Sequence, residues 1–316
     1  MAIHLLMIAL ALAVLVAGAE SVVRGASALA LRLGLSRLAI GLTVVAFGTS
    51  APELVVSLKA ALDGAGDIAV GNVIGSNIFN IAVILGLAAL ICPIPVHEQV
   101  VRLDAPIAFA VALLLLPLLG DGVITRSEGV LLLLGLIAYT ALNLVLARRR
   151  MRAGLQDWPD APFAGGATRR LWRELLLIAA GLGLLVVGAG LLVSHAASLA
   201  RALGVQEAVI GLTIVAAGTS LPELATSLVA AWRRQADIAV GNVVGSNVFN
   251  VLGILGASSA LRPITSAGIG SLDLLAMSLL SLLLLPLLYT GRTLHRLEGL
   301  LLLVLYGGYL AWRWPA

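Results

Sequence analysis

Residues 41–82 read GLTVVAFGTSAPELVVSLKAALDGAGDIAVGNVIGSNIFNIA, and residues 211–252 read GLTIVAAGTSLPELATSLVAAWRRQADIAVGNVVGSNVFNVL. At one constant offset the copies match at Gly41/Gly211, Thr49/Thr219, Pro52/Pro222, Glu53/Glu223, Asp67/Asp237, Ser76/Ser246 and Asn80/Asn250. Self-similarity over so long a period marks an internal duplication. Each copy sets Gly-Thr-Ser-x-Pro-Glu in an otherwise apolar segment, where a bilayer offers no water to a carboxylate. Ionisable residues at such depth are rare and line ion or substrate paths, so Glu53 and Glu223 are the first candidates for a functional site.

Composition sets the class. Hydrophobic residues make up 60% of the 316-residue chain, charged residues 11%, and the mean hydropathy is +1.08. Ordinary soluble domains carry about 25% charged residues, so the chain is an all-α integral membrane protein embedded in a lipid bilayer. The formal charge of +4 comes from arginines beside the membrane and requires no nucleic-acid partner. Cys92 is the single cysteine, which excludes an internal disulfide and argues against a cysteine metal site. The N-terminal MAIHLLMIALALAVLVAGAE has the small residues of a signal-peptide cleavage site. It lacks a charged leader and aligns with the apolar run around Leu182–Leu192, so it reads as the first span.

Apolar runs long enough to cross a bilayer, about 20 residues each, fall near 3–23, 38–60, 68–91, 105–120 and 127–147. The second half repeats them near 174–199, 208–231, 238–260, 270–289 and 297–314. The expectation is ten transmembrane helices in two five-helix repeats, residues 1–147 and 174–316. The Arg-rich stretch 148–173 joins them and carries seven arginines. The positive-inside rule puts this linker in the cytoplasm and both termini outside. Under that orientation 15 of the 20 Lys and Arg residues lie inside and 5 outside. An odd number of spans per repeat makes the copies enter the membrane from opposite sides, an inverted-topology plan that places a substrate site at the midplane. A multi-pass protein of the cell (cytoplasmic or inner) membrane follows.

Pro52 and Pro222 follow Gly-Thr-Ser inside the second span of each half, and a helix-interior proline removes a backbone donor and clashes with the preceding turn. A break there frees carbonyls around Ala46 to Thr49 and Ala216 to Thr219, which at membrane depth must face protein, water or an ion. Beside them stand the hydroxyls of Thr49, Ser50, Thr219 and Ser220. The third span of each half adds Asn72, Ser76 and Asn80, or Asn242, Ser246 and Asn250, spaced by four and therefore on one helix face. Gly71/Gly75 and Gly241/Gly245 form small-xxx-small pairs that allow close helix approach. Calcium takes six to eight oxygens, and this inventory holds oxygen ligands without nitrogen or sulfur.

Competing readings exist for each group. A buried glutamate could be neutralised by an arginine, yet no basic residue falls in the ten positions before Glu223 and only Lys59 closely follows Glu53. The asparagine and serine stripe could be interhelical hydrogen-bond glue, the stronger case being Asn72 and Asn242. Asp67 and Asp237 lie at expected helix starts, where an acid favours the helix dipole. Glu20, His195, Glu128 and Glu298 sit near span ends. Gly64-Ala65-Gly66-Asp67 spells the GxGD pattern of intramembrane aspartyl proteases. That chemistry needs a second intramembrane aspartate, and the other repeat has Arg234-Gln235-Ala236-Asp237 instead.

With G-T-S-x-P-E and G-N-x-x-G-S-N-x-x-N present in both halves, the sequence resembles the cation/calcium antiporter superfamily, in its prokaryotic sodium/calcium exchanger branch. The resemblance implies that Glu53 and Glu223 are shared by Ca²⁺ and Na⁺. It further implies that Thr49, Ser50, Thr219, Ser220, Ser76, Ser246 and the carbonyls of Ala46 and Ala216 complete the sites; the stripe on the third spans adds Asn80 and Asn250 as candidates. Some members carry aspartate at the position of Asn250; asparagine in both repeats here argues against potassium co-transport, and the linker is too short for a calcium-binding regulatory domain. The expected function is Na⁺/Ca²⁺ antiport, with no enzyme activity, no cofactor and no obligatory protein partner evident, and with H⁺ as a competitor. A proton/calcium antiporter and a passive cation channel are the alternatives.

Overall fold

The computed structural model describes residues 2–153, 171–203, 216–266 and 271–313, nearly all of them helical. Helix is the expected outcome, because a chain in hydrocarbon must satisfy its backbone hydrogen bonds within each segment. The first half contains α1 (Ala2–Leu33), α2 (Arg37–Ile40), α3 (Ala46–Thr49), α4 (Ala51–Leu62), α5 (Gly66–Phe79), α6 (Gly86–Ile91), α7 (Ala105–Leu118) and α8 (Arg126–Arg152). The second half contains α9 (Leu171–Ala202), α10 (Ala216–Gly218), α11 (Leu221–Trp232), α12 (Ala236–Phe249), α13 (Gly256–Leu261), α14 (Ser271–Tyr289) and α15 (Arg296–Arg313). Two-residue strands β1 (Ile94–Pro95), β2 (Val123–Ile124), β3 (Ile264–Thr265) and β4 (Thr293–Leu294) join the halves at the span ends. β1 pairs antiparallel with β4 and β2 with β3, so each half caps the other.

Seven helical runs among the described residues are long and apolar enough to cross a membrane, and the bent pair Arg37–Thr49 plus Ala51–Leu62 makes an eighth. Of the other two expected spans, 297–314 corresponds to α15, which carries Arg296, Glu298 and Arg313. Part of 208–231 lies outside the described residues, as does most of the linker.

The first span departs from its expected bounds of 3–23. α1 continues to Leu33, and α9 matches it at 32 residues, about 48 Å at 1.5 Å per residue. That exceeds the ~30 Å hydrocarbon core, so these helices tilt or project beyond it. They pack antiparallel: Gly18 lies against Gly181 and Leu185, Gly25 against Glu174 and Ile178, and His4 against His195. A Cβ on Gly18 would sit 2.9 Å from the Gly181 carbonyl oxygen, so the seam depends on hydrogen there.

The second span breaks where expected, with a bend of 48°. The proline is not inside a helix, however. Ser50 leaves helical geometry at φ −81°, ψ 8°, and Pro52 falls in the first turn of α4. Its missing N–H has no helical partner to lose at that position. Ser220 and Pro222 repeat the arrangement at the start of α11, with Ser220 at φ −86°, ψ 6° and Pro222 in the first turn.

The third spans form the centre. In Ala236–Leu261 the most apolar window is completely buried, and in Gly66–Ile91 it is 72% buried. Both contain a π-helical turn at the equivalent place, Asn80–Leu85 and Asn250–Leu255. Such turns interrupt the i→i−4 ladder and recur at functional sites. Gly245 brings α12 against the broken span: an added Cβ would meet the Leu42 carbonyl oxygen at 2.6 Å. The segment equivalent to residues 38–42 in the second half, 208–212, lies outside the described residues.

Asp67, Glu128 and Glu20 each have local partners, although Glu20 lies within α1 rather than at its end. Asp67 stands in the first turn of α5 and accepts a hydrogen bond from Ser266 Oγ at 3.0 Å, while Gly64 takes φ +81° in the preceding turn. Glu128 and Thr125 form a reciprocal capping box at the start of α8. Glu20 pairs with Arg24 and Arg233.

Candidate functional site

The two broken spans and the two buried third spans converge on a single polar cluster. Glu53 occupies the first turn of α4 and Glu223 the first turn of α11; each is 1% exposed. The hydroxyls preceding them cross over. Ser50 Oγ donates to Glu223 Oε1 at 2.7 Å, and Ser220 Oγ donates to Glu53 Oε1 at 3.0 Å. Each broken helix therefore holds the carboxylate of the other. Neither glutamate forms a salt bridge among the described residues.

The threonines cross as well. Thr49 Oγ1 donates to Asn242 Oδ1 at 3.0 Å, and Thr219 Oγ1 to Asn72 Oδ1 at 3.4 Å. The same asparagines tie each third span to the broken helix of its own half. Asn72 Nδ2 donates to the Glu53 carbonyl at 3.3 Å and to Ser57 Oγ at 2.9 Å, and Asn242 Nδ2 to the Glu223 carbonyl at 3.4 Å and to Ser227 Oγ at 3.0 Å. Asn72 and Asn242 thus do act as interhelical glue, and the backbone they hold is that of the two glutamates.

Ser76 Oγ lies 3.2 Å from Ser220 Oγ, whose own proton goes to Glu53, and Ser246 Oγ donates to the Ala46 carbonyl at 3.4 Å. That carbonyl also accepts the Ser50 N–H at 3.1 Å, so it lies in the cluster without being bare. Ala216 lies in α10, the equivalent turn of the other half. Asn80 and Asn250 begin the two π turns and are each 1% exposed. All twelve residues singled out from the sequence therefore fall on the two broken spans and the two central helices.

Among the described residues, four oxygens here are buried without a hydrogen-bond partner: Glu53 Oε2, Glu223 Oε2, Asn80 Oδ1 and Asn250 Oδ1. Unmatched buried acceptors are costly, and four in one cluster, two of them on carboxylates, suit a cation. With hydroxyls and carbonyls as neighbours, the chemistry matches a hard, oxygen-seeking ion. Among the described residues no group of three or more His, Cys, Asp or Glu side chains converges. Among the described residues, the carboxylates of the cluster are those of Glu53 and Glu223.

Four participants escaped the sequence reading. Ser57 and Ser227 lie four residues after the glutamates, on the same helix face, and that spacing could have found them. Asn77 and Asn247 belong to the quoted G-N-x-x-G-S-N motif but fall off the i, i+4 stripe. They join the halves directly: Asn77 Nδ2 donates to the Asn247 carbonyl at 3.2 Å, Asn80 Nδ2 to Asn247 Oδ1 at 3.0 Å, and Asn250 Nδ2 to Asn77 Oδ1 at 3.0 Å. Phe47 stacks on Phe249 with ring centroids 4.5 Å apart, a further contact between broken span and opposite central helix.

Known proteins share this arrangement of chain. The sequence profile of the family described as "Sodium/calcium exchanger protein" matches residues 3–145 and 173–314. The chain is 37% identical over 313 residues to the inner membrane protein YrbG of Escherichia coli (strain K12), covering 95% of this chain and 93% of the relative. It is 32% identical over 345 residues to the sodium/calcium exchanger MaX1 of Methanosarcina acetivorans, covering 98% and 97%. Among solved structures it is similar to the sodium-calcium exchanger NCX_Mj, with a TM-score of 0.83 at 32% identity over 98% of each chain.

Proposed function

The chain belongs to the sodium/calcium exchanger family, and from that premise we infer that Glu53 and Glu223 form the shared cation site of the exchange. The protein is a transporter that exchanges Ca²⁺ for Na⁺ by alternating access, not an enzyme, and it works in the membrane without a cofactor. The observation that carries the site is the reciprocal hold of Ser50 on Glu223 and Ser220 on Glu53, which leaves one oxygen of each buried carboxylate available. Thr49, Thr219, Ser76, Ser246, Asn80, Asn250 and the carbonyls of Ala46 and Ala216 supply the remaining oxygens.

Charge balance gives the coupling. Two ionised glutamates make a site of charge −2, and carrying that charge through a closed, dehydrated state costs several kcal/mol per ion. One Ca²⁺ neutralises the pair, and so do two Na⁺. Either load permits the site to change sides, while the unloaded site stalls, so the two fluxes are obligatorily exchanged. Two protons would also neutralise the pair, which makes H⁺ a competitor. The same charge rule disfavours a passive channel, since a channel needs no neutralised closed state.

The repeats 1–147 and 174–316 are read as an inverted pair of five spans each, giving ten. The antiparallel seam of α1 and α9, which are equivalent in the two halves, supports this reading. The linker 148–173 is assigned to the cytoplasm of a cell (inner) membrane protein and both termini to the other side. In a Cys92→Ser background, Gln156→Cys should react with a membrane-impermeant maleimide only after the cells are opened; labelling of intact cells would reverse the orientation.

The decisive flux experiment is ⁴⁵Ca²⁺ uptake into proteoliposomes loaded with Na⁺, K⁺ or choline at matched pH, repeated with a pH gradient and no Na⁺. Uptake is expected only with internal Na⁺. Uptake driven by the proton gradient alone would make protons the counter-ion, and uptake indifferent to both gradients would mean a channel.

A further inference from the structure

An asparagine side chain can offer a cation either a carbonyl oxygen or an NH₂ group, and the two ends have nearly the same shape. Something must decide which end faces the site. At Asn80 and Asn250 the decision is visible: each Nδ2 is engaged by the other half, Asn80 with Asn247 Oδ1 and Asn250 with Asn77 Oδ1, both at 3.0 Å. Each Oδ1 is then left buried and without a hydrogen-bond partner. Asn77 and Asn247 are 2% and 6% exposed, so water does not compete well for these bonds. Asn77 is itself anchored, through Nδ2, on the Asn247 carbonyl at 3.2 Å.

We propose that Asn77 and Asn247 are positioning residues for ion binding: each uses its side-chain oxygen to fix the amide of the opposite half's Asn250 or Asn80, so that a carbonyl oxygen faces the cation. The proposal rests on the reading of the cation site given above. It also makes ion affinity a joint property of the two repeats, since each ligand amide is oriented by the half that does not contain it. Without the orienting oxygen, an amide can turn its NH₂ towards the cation and replace an attraction by a repulsion. A carboxylate at the same place has no donor end and needs no such partner.

That difference supplies the test. Ca²⁺ binding by calorimetry and ⁴⁵Ca²⁺ uptake are measured for Asn247→Leu, which removes the orienting oxygen at similar volume, in two backgrounds: Asn80 and Asn80→Asp. In the Asn80 background, Asn247→Leu should raise the half-saturating Ca²⁺ by about tenfold or more, with the rate at saturating Ca²⁺ much less affected. In the Asn80→Asp background the same change should shift it by no more than about twofold, the non-additivity expected of a residue acting through its partner. Asn247→Asp, which keeps an acceptor, should hold the Asn80 amide in place and bind Ca²⁺ far better than Asn247→Leu. If Asn247→Leu does not accumulate as folded protein, Asn247→Ala removes the same oxygen.

Equal shifts in both backgrounds would mean that Asn247 supports packing only, and the proposal falls. Asn80→Ala separates this outcome from failure of the site itself. If Asn80→Ala weakens Ca²⁺ binding and Asn247→Leu does not, the positioning role is wrong and the site stands. If Asn80→Ala binds Ca²⁺ as the wild type does, Asn80 is no ligand and both readings are overturned.

Discussion

Replacing Glu223 by glutamine changes the site by one charge and almost no volume. Ser50 can still donate to the side-chain oxygen it holds at 2.7 Å, so the local frame survives. The unpartnered Oε2, however, becomes an NH₂ that points a donor where an acceptor stood. Ca²⁺ bound beside Glu53 alone would also leave a net charge of +1 in a buried site. Removing one partner of a buried charge pair costs about 3–5 kcal/mol. At about 1.4 kcal/mol per factor of ten, this is a loss of about 100-fold to several thousand-fold in Ca²⁺ affinity. The assay is ⁴⁵Ca²⁺ uptake into Na⁺-loaded proteoliposomes across a range of Ca²⁺, with reconstituted protein quantified. Glu98→Gln serves as the control, because Glu98 is 43% exposed and paired with Arg102 and Arg292 outside the cluster. It should lie within about twofold of wild type, as an exposed ion pair contributes little. A Glu223→Gln protein whose half-saturating Ca²⁺ stayed within about threefold of wild type would show that Glu223 does not neutralise the ion.

Ser50→Ala and Ser220→Ala should weaken Ca²⁺ binding comparably, each by about 10- to 100-fold, because each removes a hydrogen bond to a charged carboxylate; calorimetry showing a loss in only one would break the reciprocity. Lowering pH should raise the half-saturating Ca²⁺ while excess Ca²⁺ restores the rate, since a protonated glutamate carries no charge for the ion; pH-independent uptake would exclude proton competition. Gly18→Ala should lower the melting temperature of the detergent-solubilised protein by crowding the Gly181 carbonyl, at a cost of about 1–3 kcal/mol. Gly190→Ala meets no described atom within 4 Å and should not; equal melting temperatures would deny the seam its role.

The fold class was legible because hydropathy acts residue by residue: a chain this apolar must close its backbone bonds within helices. The glutamates were legible for the same reason, since an acid in such a segment has few uses. Details failed where the forces were not local. The proline motif marked the break in the second span, but not that Ser50 ends one helix with Pro52 in the first turn of the next, nor that the Ser50 hydroxyl crosses to Glu223. α1 outran its expected end at 23, and its last turns pack along α9, with Gly25 against Ile178 and Arg32 beside Glu174, contacts that no sliding window contains.

The sequence by itself determined that two copies of one motif lie in the membrane and that each brings a carboxylate, hydroxyls and amides. It could do so because residue type, spacing and repetition are properties of the chain. Tertiary structure alone decided who holds whom: Ser50 holds Glu223 from 173 residues away, Ser220 holds Glu53 from 167, and Asn247 turns the amide of Asn80. Those pairings depend on how two similar halves dock, and docking is governed by the shape of glycine-lined helix faces and the burial of polar groups, which have no period along the sequence.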